Sequence, residues 1–132
     1  MTYRYAISLQ VSHPDADPGD IVAGINLPAL RTWKVGEPRT TLKGSPLDGR
    51  YRETYCAFDL GKGDDGELAT CLQHVVETLM PKRAFLAHLR QEGACMSFLI
   101  SWEAGKRGAV FDVQLLSEIA RLGINLGIDP YC

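Results

Sequence analysis

The 132-residue chain is short of several features that would classify it at once. No apolar run approaches the roughly 18 residues that a membrane span requires, so no membrane partner is expected. The formal net charge is only −2, with a pI of about 5.9, and a global basic field for nucleic acid or anionic lipid is missing. Cysteine is sparse: Cys56, Cys71, Cys95 and Cys132 stand without a C-x-x-C pair, which removes the common zinc and dithiol signatures. The opening Met1-Thr2-Tyr3-Arg4-Tyr5 enters an alternating pattern without the apolar core of a signal peptide. The expectation is a cytoplasmic protein with four reduced thiols, three in the core and one at the C-terminus.

What is present is ordinary globular composition, 45% apolar and 23% charged. A chain of this length buries about two thirds of its unfolded surface, so a single domain spanning 1–132 needs no metal or disulfide to hold a core. Tyr3, Tyr5, Ile7, Leu9 and Val11 share one face of a half-buried strand. Asp17, Pro18 and Asp20 read as the start of a short helix over 18–26. Gly36, Pro38, Gly44, Pro46 and Gly49 break the stretch 31–49, leaving a short strand at 31–35, an extended loop and an Asp48-Gly49 turn. A strand over 50–60 follows, with Tyr51, Glu53 and Tyr55 on one face. Asp64 and Glu67 have capping-box spacing before a helix with Leu68, Cys71, Leu72, Val75, Val76 and Leu79 inward. Pro81 breaks that helix and starts another, ending near Gly93. Residues 94–102 alternate again, a turn is expected at 104–108, and Asp112 can cap a third helix with Leu115, Leu116, Ile119 and Leu122 inward. Ile124, Leu126 and Ile128 form a last strand that Pro130 ends. The order β-α-β-β-α-β plus α-β predicts an α+β fold: a ferredoxin-like sandwich extended by a C-terminal α-β unit, mainly antiparallel, with helices on one face.

Two segments carry a resemblance. Thr32-Trp33-Lys34-Val35-Gly36-Glu37-Pro38-Arg39 holds a Trp-x-x-Gly-[acid]-x-Arg pattern after the first helix. The tail Leu122-Gly123-Ile124-Asn125-Leu126-Gly127-Ile128-Asp129-Pro130-Tyr131 holds Leu-Gly-Ile-x-Leu-x-Ile-Asp-x-Tyr. Together they resemble the bacterial domain of unknown function 4279 family (DUF4279). Tyr55 or Phe58 stands where that family often has a middle-strand Trp. The resemblance implies a compact bacterial α+β domain and brings no reaction, cofactor or catalytic residue.

The remaining constellations are weak as chemistry. Gly61-Lys62-Gly63-Asp64-Asp65-Gly66 matches G-x-G-x-x-G, but two acids stand where a pyrophosphate needs amide dipoles, and the preceding strand alternates. A Gly-rich loop is the plainer account, and no cofactor is expected. Cys71 and His74, with His88, could reach a metal, yet no fourth ligand is evident and no metal is expected. Cys56 or Cys95 with a distant His bears no local signature of a nucleophile. The β-α-β-β-α-β order also occurs in RNA-recognition modules, but the charge is negative and the Gly-aromatic signature is absent, so nucleic acid is not the expected partner.

Local charge is more informative. Between 31 and 52 stand Arg31, Lys34, Arg39, Lys43, Arg50 and Arg52 against Glu37 and Asp48, a balance of +4 that leaves −6 for the rest of the chain. With Trp33 and Tyr51, the segment has the residue types that dominate recognition surfaces; the competing account tucks Trp33 into the core of a solvated loop. The candidate binding residues are Trp33, Lys34, Arg39, Arg50, Arg52, Tyr51, Tyr55, Asp129 and Tyr131, with no catalytic, cofactor or metal residue. The functional expectation is a non-catalytic protein-interaction module, immunity-type in one concrete form, with an unknown protein partner. The alternative is a small-molecule or anion binder, or a minor enzyme, with a pocket between residues 31–52 and the tail. A homodimer is left open.

Overall fold

The computed structural model describes residues 4–64, 66–103 and 108–131. It is mixed α+β, a five-stranded, mostly antiparallel sheet with its helices packed on one face. The strand β1, Tyr5–His13, lies at the centre and alternates without a break: Tyr5, Ile7, Leu9, Val11 and His13 are buried while the residues between them are half-buried. That period of two is what places one face under the helices and the other toward solvent. Tyr3 and the 104–107 part of the expected turn lie outside the described residues.

The helix α1, Pro18–Ile25, starts at a proline and buries Ile21 and Ile25. The edge strand β2, Ala29–Trp33, then pairs antiparallel with β5, Thr54–Gly63, which pairs with β1. Between β2 and β5 the chain leaves the main sheet as a two-stranded hairpin of β3, Pro38–Thr40, and β4, Pro46–Arg50. The helix α2, Leu68–Leu79, runs through a 3-10 turn at Met80–Lys82 into α3, Arg83–Gln91. β6, Cys95–Glu103, pairs antiparallel with β1; α4, Val113–Leu122, leads to β7, Asn125–Tyr131, parallel to β6. The sheet order is β2-β5-β1-β6-β7.

The sequence expectations for this architecture hold in outline and fail at particular turns. The Asp112 cap is present, its carboxylate accepting the Leu115 amide at 2.8 Å. The Asp64–Glu67 capping box does not take its expected place: α2 begins at Leu68 with Glu67 itself at the N-cap position, and the Glu67 side chain makes no cap hydrogen bond. The Asp48-Gly49 pair lies inside β4 rather than turning the chain. The hairpin turns at 41–45, where the Gly44 amide donates to Thr41 and Gly44 takes a φ of 87°. Consequently β5 starts at Thr54, and Tyr51 and Glu53 precede it. Gly61 and Gly63 are strand residues, so no phosphate-cradling loop forms there. Leu116 is 44% exposed and not a core residue. Pro130 does not end β7, because an edge strand tolerates a residue that cannot donate outward. Cys95 is exposed on the solvent face rather than buried; Cys56 is buried, Cys71 half-buried, and Cys132 lies outside the described residues.

The helices close-pack at one point that reverses an ordinary rule. A Cβ on Gly24, inside α1, would sit 2.1 Å from the tip of the Phe85 ring on α3. Alanine normally stabilises a helix interior over glycine by about 1 kcal/mol, but overpacking a stiff ring costs about 1–3 kcal/mol. Gly24→Ala is therefore expected to lower the melting temperature, and Phe85→Leu in the same chain to recover it. A melt of Gly24→Ala at or above that of the parent would show that the ring gives way freely.

Candidate functional site

The hairpin projects from the β2 edge as an arm, and its base is an aromatic stack. Trp33 and Tyr55 are direct cross-strand partners. Their ring centroids lie 4.4 Å apart at 22°. Tyr51, at the foot of β4, stacks on the same indole at 4.5 Å and 10°. The Arg31 guanidinium carbon is 4.9 Å from the Trp33 centroid, a cation–π distance. Trp33 is half-buried and outside the core cluster, so the account that tucks it into the core does not hold. It shares the solvent face of the sheet with Arg31, Tyr55 and Ala57, opposite the helices.

The arm is braced by its own cations. Arg39 donates to the Asp48 carbonyl at 3.2 Å, Arg50 to the Gly36 carbonyl at 2.7 Å, and Arg31 to the Thr40 carbonyl at 3.4 Å. Tyr51 Oη donates to the Thr40 carbonyl and accepts the Thr40 amide. That amide, with Arg31 beside it, holds the Tyr51 phenol below its ordinary pKa, whereas burial pushes Tyr55 up. Each guanidinium keeps donors to spare after bonding one carbonyl. Among the described residues the ion pairs are Arg4–Glu103 and the histidine contacts His13–Asp15, His13–Glu92 and His88–Glu92. None of these ion pairs among the described residues involves one of the six cations of the 31–52 segment. Lys34, Arg39, Arg50 and Arg52 are exposed.

Two buried polar side chains set the arm's root. Thr54, opposite His13 in the β1–β5 register, donates to the Ala16 carbonyl at 2.5 Å and accepts the Val35 amide at 3.2 Å. His13 Nδ1 accepts the Asp15 and Ala16 amides at 3.1 and 3.0 Å, leaving Nε2 to face Glu92 Oε1 at 3.0 Å. Both side chains thus hold the peptide leading into α1, and Thr54 also fixes the exit from β2. Neither residue stood out as functional in the sequence. The signal was the continuation of the β1 alternation to position 13, where a histidine replaces an aliphatic residue.

The tail residues do not join this site. β2 and β7 are opposite edges of the sheet, four strand spacings apart, or roughly 19 Å at about 4.8 Å each. Asp129 and Tyr131, both exposed on β7, therefore stand apart from 31–52, and among the described residues neither lines the cavities beside that segment.

Elsewhere, a cavity of about 180 Å³ between α2 and β5 is lined by Asp59, Cys71, His74 and aliphatic side chains. Among the described residues no group of three or more His, Cys, Asp or Glu is placed for a metal ion, and His88 pairs with Glu92. The Cys56 thiol is pushed up to about 11 by burial, with Asp17 adding to the shift, and it points to the Pro18 carbonyl. It is protonated at neutral pH and shielded from reagents. In the native protein iodoacetamide at pH 8 is expected to label Cys95 within minutes and to spare Cys56 until denaturant is added, read by peptide mass mapping. Early labelling of Cys56 would mean that β5 opens locally.

No family model, curated protein or solved structure matches the chain. Among the described residues no helix is long and apolar enough to cross a membrane.

Proposed function

We propose that the chain is a non-catalytic protein-interaction domain that uses the β2–β4 arm to take an acidic partner. The observation that carries this reading is the segregation of charge onto a braced arm that folds back on β2. A balance of +4 sits on residues 31–52 against −6 elsewhere, without ion pairs among the described residues, around a Trp-Tyr-Tyr stack. Arginine beside half-buried aromatics is the composition of binding hot spots, and a partner's carboxylates meet there cations whose geometry is already set. Leu30 and Leu42, 71% and 80% exposed on the edge strand and arm tip, add apolar contact area. A cytoplasmic, immunity-type role, in which the domain neutralises a toxin protein, is one concrete form of the reading; its support is analogy with small acidic single-domain proteins of that kind.

A ferredoxin-like assignment is part of the same proposal. Its support is the strand order β6-β1-β5-β2 with every neighbour antiparallel, the arm and β7 being additions. Membership of the domain of unknown function 4279 family goes with it, supported by the two motif segments, which contribute the two edges of the sheet.

The test is affinity capture of partners by the parent and by Trp33→Ala/Arg39→Ala. The double variant is expected to lose at least tenfold in captured partner while its melting temperature stays within a few degrees. Undiminished capture by a folded variant would remove the arm as the surface.

A further inference from the structure

The groove between β2 and the arm has a shape that specifies how a partner would bind. It has a volume of about 530 Å³ and is lined by four consecutive strand residues, Leu30 to Trp33, on one side and by Glu37, Pro38, Thr40, Thr41 and Leu42 of the arm on the other. Arg31 and Trp33 point to the solvent face of the sheet and Thr32 to the helix face. A cavity touching residues of both parities runs along the edge of a strand, not over its face. β2 is the terminal strand of its sheet, and β3 and β4 pair only with each other. Its outward N–H and C=O groups therefore face the groove without a strand partner among the described residues, which is the arrangement a β-strand addition uses.

We infer that β2 accepts an extended acidic segment of another protein as an added strand, clamped by the arm. The inference rests on the reading of the arm as a binding surface and specifies its occupant. Charge complementarity selects an acidic partner: Arg31 lines the groove, and Lys34, Arg39 and Lys43 adjoin lining residues in the chain, against Glu37 as the acid in the lining. The same charges disfavour a second copy of this chain, whose β2 edge would bring a like-charged arm against the first. The opposite edge is a poorer acceptor of an acidic strand: β7 carries Asp129, and Pro130 lacks an amide donor. β2 has five residues, so the added strand spans about 17 Å at roughly 3.3 Å per residue. Side chains of alternate residues would meet the Trp33–Tyr51 stack, and those between them Leu30 and Leu42.

The probe is the peptide acetyl-(Glu-Val)4-amide titrated into the full-length ¹⁵N-labelled chain and followed by amide shifts. Saturable shifts are expected at 29–33 and along the arm, with 125–131 unmoved. The fully N-methylated peptide keeps every side chain and loses every amide donor; it should bind at least tenfold more weakly, as should (Lys-Val)4. Leu30→Asp, on a side chain exposed to solvent, should weaken binding of the parent peptide at least tenfold with no change in melting temperature. Equal binding of the N-methylated peptide, shifts confined to the arm tip, or no saturation by 1 mM would overturn strand addition. So would a dimer on light scattering that protects the β2 amides. If any of these occurs while Trp33→Ala/Arg39→Ala still abolishes partner capture, the arm remains the surface and only the mode of binding falls. If capture is also undiminished, both readings fall.

Discussion

Replacing His13 by alanine is expected to destabilise the domain by about 3 kcal/mol, because the Asp15 and Ala16 amides lose their acceptor and a cavity is left where a buried ring stood. The ring is 1% exposed. Its Nδ1 accepts the Asp15 and Ala16 amides, and Nε2 faces Glu92, at the C-terminal end of α3. In a domain of this length the loss corresponds to a melting temperature lower by roughly 10 °C. The two nitrogens can be separated by substitution. His13→Asn keeps an acceptor near the Nδ1 position, as in an Asx turn, and is expected to recover more than half of the loss. His13→Gln places its polar end nearer Nε2 and is expected to recover less. Equal melts for Asn, Gln and Ala would mean that packing volume, not the acceptor, is what His13 supplies.

Thr54→Val is expected to be nearly as damaging, about 2 kcal/mol, although it conserves shape. The hydroxyl is fully buried, donates to the Ala16 carbonyl and accepts the Val35 amide. Valine leaves both partners unsatisfied, at about 1–3 kcal/mol for a buried group that loses its bond. Thr54→Ser restores the hydroxyl and loses only a methyl, so it should stay within about 1 kcal/mol of the parent. The Val35 amide should also exchange faster in Thr54→Val, since the Thr54 hydroxyl that accepts it is gone. Because His13 holds the Asp15 and Ala16 amides and Thr54 the Ala16 carbonyl of the same short segment, the double variant should depart from additivity by at least about 0.5 kcal/mol. Additive losses would show that the two contacts act independently. The link to function is direct: Thr54 anchors the residue at which the chain leaves β2 for the arm. A loosened arm should bind its partner more weakly through ordering cost alone.

The elements legible in the sequence were those whose periodicity is local. β1, β6, α2 and α4 each repeat apolar residues at the spacing of their own geometry, so the α+β class and the helix-covered face follow from pattern alone. The Asp112 cap was legible for the same reason, its acceptor and donor being three residues apart. The arm was not. β3 and β4 are exposed at nearly every position, so burial imposes no alternation on them, and an Asp-Gly pair that reads as a turn sits inside a strand instead.

The basic-aromatic character of 31–52, and so the candidate surface, was determined by the sequence itself, because charge and aromaticity are properties of residues wherever they fall. Tertiary structure alone decided which candidates meet. Tyr51 reaches Trp33 because the arm folds back on β2, a contact that no spacing encodes. Asp129 and Tyr131 are excluded because sheet order, set by which strand edges pair, puts β7 four strands away. Residue types specify what a surface can bind; long-range pairing, settled by burial of the whole β1 face at once, specifies where that surface is.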